Sequence, residues 1–185
     1  CAWRIMRRNG GHLVGYPSVT IHLIRHEKTQ ANLESKYLGW TDEPIVTSPA
    51  LLTDLQPSQV YGSDLIRCQQ TAECYFPHAS FIASDLLREI NFGQYELKTY
   101  AQLKDIQAYR DWIDDPYNVN LPNGESFQAF QKRVLQGFKK TIETPGEYVF
   151  VVHGGVIRTM LSIYGPTVQL FQQVHAQHRT QYTLH

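Results

Sequence analysis

Two apolar stretches, each ending in histidine, limit what this chain can fold into more than any other feature. Val19 to Ile24 (VTIHLI) and Tyr148 to Val152 (YVFVV) are largely β-branched or aromatic along consecutive residues, the pattern of a strand covered on both faces. The first delivers Arg25 and His26 where the strand should stop, and the second delivers His153, Gly154 and Gly155. Strands of this kind belong to a mostly parallel sheet with helices on either side, and such sheets bind ligands beyond the carboxyl ends of their strands. Placed in one sheet, the two histidines meet at one rim.

A cation beside an imidazole at a strand end suits a phosphate, held by Arg25 and attacked by or bonded to His26. For that dipeptide alone, the simple closing of a strand at the surface is the favoured reading. The repeat of the design at His153 shifts the weight, because the amides of the glycine turn beginning at Gly154 can face an anion. Ser63 reads as the N-cap of a helix from Asp64 to about Tyr75, which brings Arg67 into the first turn. Free amides and the helix dipole attract anions there, and Arg67 can reinforce the same site.

The rest of the chain reads as connections and covering helices. Thr29 to Asn32 opens a loop or short helix, Gly39 to Pro44 a turn, and Ile45 to Pro57 an irregular stretch or one short helix. Gln59 to Tyr61 is a short strand, Phe81 to Ala83 a buried one, and Leu86 to Tyr95 a loop. Thr99 with Gln102 forms a capping box, followed by Tyr100, Leu103, Ile106, Tyr109 and Ile113 at helical spacing until Pro116. Asn123 to Ser126 starts a helix that shows Phe127, Phe130, Val134, Phe138 and Ile142 on one face. A further helix runs from about Val156 to Tyr164, residues 167 to 178 read as helical, and Thr180 to Leu184 closes as a strand. His175 and His178 read as surface side chains, a pair too small to make a metal site.

With 185 residues, 42% of them hydrophobic, the chain supports one substantial core. Seventeen basic residues balance seventeen acidic ones, so no global charge draws it to nucleic acid or a membrane surface, and no apolar run approaches the ~20 residues of a membrane span. Three cysteines without metal-ligand spacing fit a reducing, cytoplasmic setting. Residues 1–18 are basic and Gly-containing and open on Cys, which reads as an expression remnant or irregular start, with a targeting arm as the alternative. Residues 19–185 are then the domain.

In this order the motifs resemble the histidine phosphatase, or phosphoglycerate mutase-like, superfamily. The resemblance rests on Leu23-Ile24-Arg25-His26, on Ser63-Asp64-Leu65 with Arg67 and Thr71-Ala72, on Leu87, Glu89 and Phe92-Gly93, and on Val152-His153-Gly154-Gly155-Val156-Ile157-Arg158. It implies a three-layer α/β/α sandwich with a mostly parallel sheet and a phosphatase that forms a phosphohistidine on His26. Glu89 falls at the family's acid/base position and Asn32 at its asparagine. The implied site has His26, Glu89 and a protonated His153 as catalytic residues, with Arg25, Asn32, Arg67, His153 and Gly154 around the phosphate, and needs no metal or cofactor.

Within the superfamily, Phe92-Gly93, Tyr95-Glu96, Thr99-Tyr100, Tyr109 to Trp112 and Gly124 to Phe127 look most like the α-ribazole phosphatase branch of cobalamin biosynthesis. The implied partner is a small-molecule phosphomonoester, not nucleic acid or membrane, and a homodimer stays open. A mutase using the same residues, or a phosphate-binding scaffold without activity, are the alternatives. The short span from Glu89 to His153 favours hydrolysis over the mutase, while the aromatics between Tyr95 and Trp112 could cover the pocket. Two departures stand out: Glu27-Lys28 replaces the usual Gly-Glu, and the helix before the second strand is shortened, which implies a thin helical layer on one face.

Overall fold

A computed structural model describes residues 18–48 and 53–185. Position 18 apart, the N-terminal extension lies outside the described residues, as do positions 49–52 of the irregular stretch. Strands β1 (Val19–Arg25), β2 (Gln59–Ser63), β3 (Ser80–Ser84), β4 (Gly146–Val152) and β5 (Gln181–Leu184) form one sheet in the order β3-β2-β4-β1-β5. All neighbours are parallel except β5, which runs antiparallel to β1. Helices α1 (Gln30–Leu33), α2 (Ile66–Tyr75), α3 (Tyr100–Leu103), α4 (Gln107–Asp114), α5 (Phe127–Thr141) and α6 (Gly154–Tyr164) complete the three layers. None of these helices is long and apolar enough to cross a membrane.

Alternation along β1 divides the core. Ile21 and Leu23 point to the side covered by α5 and α6, where Phe130, Val134, Phe138, Val156 and Ile157 are buried. Ile24 points to the other side, which α2 covers with Cys68, Ala72 and Phe76. Each fully buried side chain of this kind contributes about 1.5–3 kcal/mol of transfer free energy, and among the described residues more of them lie under α5 and α6 than under α2. Register fixes the rim: Val19 pairs with Gly146 and Arg25 with Val152. His26 therefore follows β1 beside His153 at the end of β4, and its N–H donates to Val152 O at 3.0 Å.

Several elements differ from the reading of the sequence. Helix α2 starts at Ile66, with Leu65 at the cap position. Asp42 Oδ1, brought in by the turn before it, accepts from Ile66 N at 2.8 Å, while Asp64 pairs with Arg88 instead. Strand β3 is an edge strand, its Ile82 and Ala83 exposed and Phe81 half-buried. The run from Tyr100 to Ile113 breaks in two because Ile106 is extended and its carbonyl accepts from Tyr109 and Arg110 to start α4. Only Leu103 and Tyr109 of that run are buried, in a satellite cluster with Tyr95 and Leu121.

Residues 167–178 hold a single 3-10 turn, Phe171–Gln173, and no α-helix. This run lies across the sheet rim, where its carbonyls serve two arginines: Arg25 donates to Ala176 O and Arg158 to Phe171 O. A helix would have spent those carbonyls on itself.

Candidate active site

His26 is 3% exposed, and its Nδ1 lies 2.6 Å from Glu27 O. A carbonyl only accepts, so Nδ1 carries the hydrogen and, in the neutral ring, Nε2 keeps its lone pair. Burial, with Arg67 and Arg25 adding to it, pushes the His26 pKa well below the ordinary histidine value. The local structure thus selects one tautomer of an uncharged imidazole.

His153 caps α6 with its ring centroid 5.2 Å from that of His26. Burial, then Arg67, His26 and Arg25, hold its pKa well below the ordinary value too. Without an anion, burial favours the neutral ring more than the two guanidinium groups do; the expected protonated His153 concerns the site with phosphate bound. Its Nε2 lies 3.6 Å from the Sγ of Cys68, a thiol whose pKa burial lifts to about 12.

Arg67 enters from the first turn of α2 and has no exposed surface. It donates to Gly39 O at 2.6 Å and to Thr41 O at 2.9 Å, which aims the guanidinium by tying it to the turn at residues 39–41. Arg25 donates to Ala176 O at 2.6 Å and packs against Gly154, where a Cβ would come within 3.2 Å of its Cζ. The Nε atoms of Arg25 and Arg67 and the Nδ1 of His153 are buried without a hydrogen-bond partner among the described residues. Leaving such groups unpaired costs about 1–3 kcal/mol each, more when charged, and all three belong to one cluster around His26. Donors concentrated this way fit an anion of several oxygens.

Glu89 is held from three sides. Its Oε2 accepts from Gly155 N at 2.8 Å at the start of α6, and its Oε1 accepts from Ile90 N at 2.9 Å. Its carbonyl takes Trp40 Nε1 and Arg133, which also pairs with Glu125. Gly155 has no room for a side chain, since a Cβ would stand 2.1 Å from Glu89 Oε1. Asn32 spends its Oδ1 in the capping box of α1, so the donors of its amide remain available.

A cavity of about 970 Å³ opens at this rim, lined by Arg25, Asn32, Glu89 and Gly154 among the expected residues. His26, Arg67 and His153 lie beneath its floor rather than on its surface. Its other charged lining residues, Lys28, Lys36, Arg158 and Arg179, are all basic, so a chain of zero net charge concentrates its cations here. Of the aromatics between Tyr95 and Trp112 none lines this cavity; Tyr95, Tyr109 and Trp112 pack together, and Tyr100 lines a smaller adjoining pocket. Tyr37 and Phe92 supply the rings instead.

His178, read from sequence as a surface side chain, stands beside His26, the two ring centroids 5.6 Å apart. Only tertiary structure could find it, as its local sequence carries no strand or motif. His175 is exposed as expected. Among the described residues no group of His, Cys, Asp and Glu side chains is arranged to hold a metal ion.

Residues 21–184 match the sequence profile of the histidine phosphatase superfamily (branch 1). An adenosylcobalamin/alpha-ribazole phosphatase from Escherichia coli K12 is 29% identical over 154 residues, covering 76% of this chain and 76% of that one. The crystal structure of the alpha-ribazole phosphatase from Shigella flexneri superposes with a TM-score of 0.73 at 25% identity, over 89% of each chain. A structure described as phosphoglycerate mutase from Thermus thermophilus gives 0.70 at 29% identity, over 89% of this chain and 91% of its own.

Proposed function

The chain belongs to the histidine phosphatase superfamily, and from that premise we propose that it hydrolyses a small-molecule phosphomonoester through a phosphohistidine on His26. The observation that carries this reading is the cluster of unpaired donors, Arg25 Nε, Arg67 Nε and His153 Nδ1, around an imidazole locked as the Nε2 lone-pair tautomer. Nε2 of His26 attacks phosphorus as the ester P–O bond breaks, and Glu89 in its acid form protonates the departing oxygen. Arg25 and Arg67 meet the equatorial oxygens, with Asn32 and the Gly154 amide as neutral donors. Arrival of a phosphate dianion offsets the two guanidinium charges, and His153 then takes up a proton and joins them. Water next attacks the phosphohistidine and gives its proton to Glu89, and the N–P electron pair returns to Nε2. The charge a metal would supply in other phosphoryl transfers comes here from the arginines. Among the described residues Cys68 and Cys74 are free thiols, which suits the cytoplasmic setting that goes with this reading.

The test is phosphate release from a panel of phosphomonoesters with and without a chelator. Hydrolysis insensitive to the chelator supports the reading, and no release from any ester removes it. A pH profile adds a sharper check. With its pKa depressed, His26 stays unprotonated at pH 6.5 and loses its lone pair only as the pH falls well below that value. The acid limb of kcat/KM, which reports the free enzyme, is therefore expected well under pH 6.5; a limb centred at 6.5 or higher would count against His26 as the nucleophile.

The substrate proposed is α-ribazole 5′-phosphate, supported by the names of two relatives and by Tyr37 and Phe92, whose rings border the cavity and offer a flat base something to pack on. Its kcat/KM is expected to exceed those of 3-phosphoglycerate, phosphoserine and a sugar phosphate by at least about tenfold, or ~1.4 kcal/mol of transition-state binding. A smaller margin withdraws the name and leaves the phosphatase.

A mutase is the second reading. The length from Glu89 to His153 does not exclude it, because the structure described as phosphoglycerate mutase matches over 91% of its chain. Transfer of labelled phosphate from His26 to an added acceptor hydroxyl rather than to water would favour it.

A further inference from the structure

Three consecutive residues after the opening strand core, Arg25, His26 and Glu27, each take a partner from the run at 176–179. Arg25 donates to Ala176 O at 2.6 Å, His178 Nδ1 lies 2.7 Å from His26 O, and Arg179 Nε lies 3.2 Å from both carboxylate oxygens of Glu27. The carbonyl of His26 can only accept, so His178 Nδ1 donates. With His26 N–H already given to Val152 O and its Nδ1 to Glu27 O, the His178 bond completes the fixing of the His26 main chain. The three rings form a row in which His26 meets His153 at 66° and His178 at 75°.

The run is held under tension that its surroundings impose. Arg179 has left-handed backbone with φ 58, a conformation unfavourable for a residue with a side chain and kept only where other contacts demand it. Those contacts are the Glu27 carboxylate and Ser48 O, which accepts from Arg179 at 3.0 Å. Glu27 has no exposed surface, and a buried carboxylate must be paired. Besides Arg179 it accepts from Thr47 at 2.8 Å and from the Tyr75 hydroxyl. Burial pushes its pKa up, but these hydrogen bonds outweigh it and hold the carboxyl below its ordinary range.

We propose that His178 is a positioning residue for His26, setting the main chain and ring plane of the nucleophile, and that the Glu27–Arg179 pair is the latch that keeps it there. The inference rests on His26 being the nucleophile. A displacement of about 1 Å in a reacting atom can cost on the order of a hundredfold in rate, so fixing His26 acts on turnover rather than on substrate binding.

The variants His178→Ala, His178→Asn and His178→Gln separate the possibilities, because the asparagine amide lies where Nδ1 donates whereas the glutamine amide lies nearer Nε2. His178→Ala is expected to lower kcat by about ten- to a hundredfold with KM changed less than about twofold. His178→Asn should recover most of the loss and His178→Gln should not. Arg179→Met should reproduce the loss and add nothing to His178→Ala, as for residues acting as one unit. Unchanged kcat in His178→Ala, a rise in KM instead, or equal losses in the Asn and Gln variants would overturn the assignment. Should the alanine variant not fold, the Asn and Gln comparison decides. Labelling of His26 is read in parallel: no label in native protein defeats the reading of His26 itself, whereas a labelled His26 with full kcat in the variants defeats only the positioning role.

Discussion

His26→Ala is expected to lower kcat by roughly four orders of magnitude or more on every ester, as loss of a covalent nucleophile does. Rapid quenching of native protein with substrate should leave phosphate on His26 that is labile in acid and stable in base. The variant should still fold, since the side chain removed is one imidazole at the rim and its Nδ1 bond to Glu27 O is worth about 1 kcal/mol. Arg25, Arg67 and His153 remain, so inorganic phosphate should still bind and protect the variant against heat. That combination, lost turnover with retained phosphate binding, distinguishes a missing nucleophile from a collapsed site. Label on serine, aspartate or cysteine, or activity within about tenfold of native, would remove the mechanism.

How much of this site was legible in the sequence follows from how far apart its causes lie. A strand buried on both faces is written in consecutive residues, and the rim position of His26 and His153 follows from pairing β1 with β4. Ser126 and Thr99 cap their helices with their own side chains, which local spacing can show. The cap of α2 comes from Asp42, across the turn that also aims Arg67, and no local pattern records it. The same holds for residues 167–178, whose composition admits a helix but whose carbonyls are claimed by Arg25 and Arg158. Glu27 reads in the sequence as a departure from the usual Gly-Glu; in the fold it is a buried carboxylate matched to Arg179, a residue 152 positions away. The lowered pKa of His153 was likewise hidden, because it depends on burial and on Arg67, His26 and Arg25 around it.

Glu89→Gln is expected to separate two classes of ester. An alkyl phosphate expels a strongly basic alkoxide and needs a proton in the transition state, so its kcat/KM should fall by about 10²–10⁴. An aryl phosphate expels a stabilised phenolate and should lose less than about tenfold. The ratio carries the argument rather than either loss alone, for a structural reason. Both carboxylate oxygens accept a backbone N–H, from Gly155 and from Ile90, and an amide must set its NH₂ against one of these donors. Some disturbance of the site is therefore built into the substitution and should reach both classes equally, through the position of α6 and its Gly154 amide. Only the part that depends on leaving-group basicity measures proton transfer. If both esters slow by the same factor, Glu89 holds the start of α6 in place and another group supplies the proton.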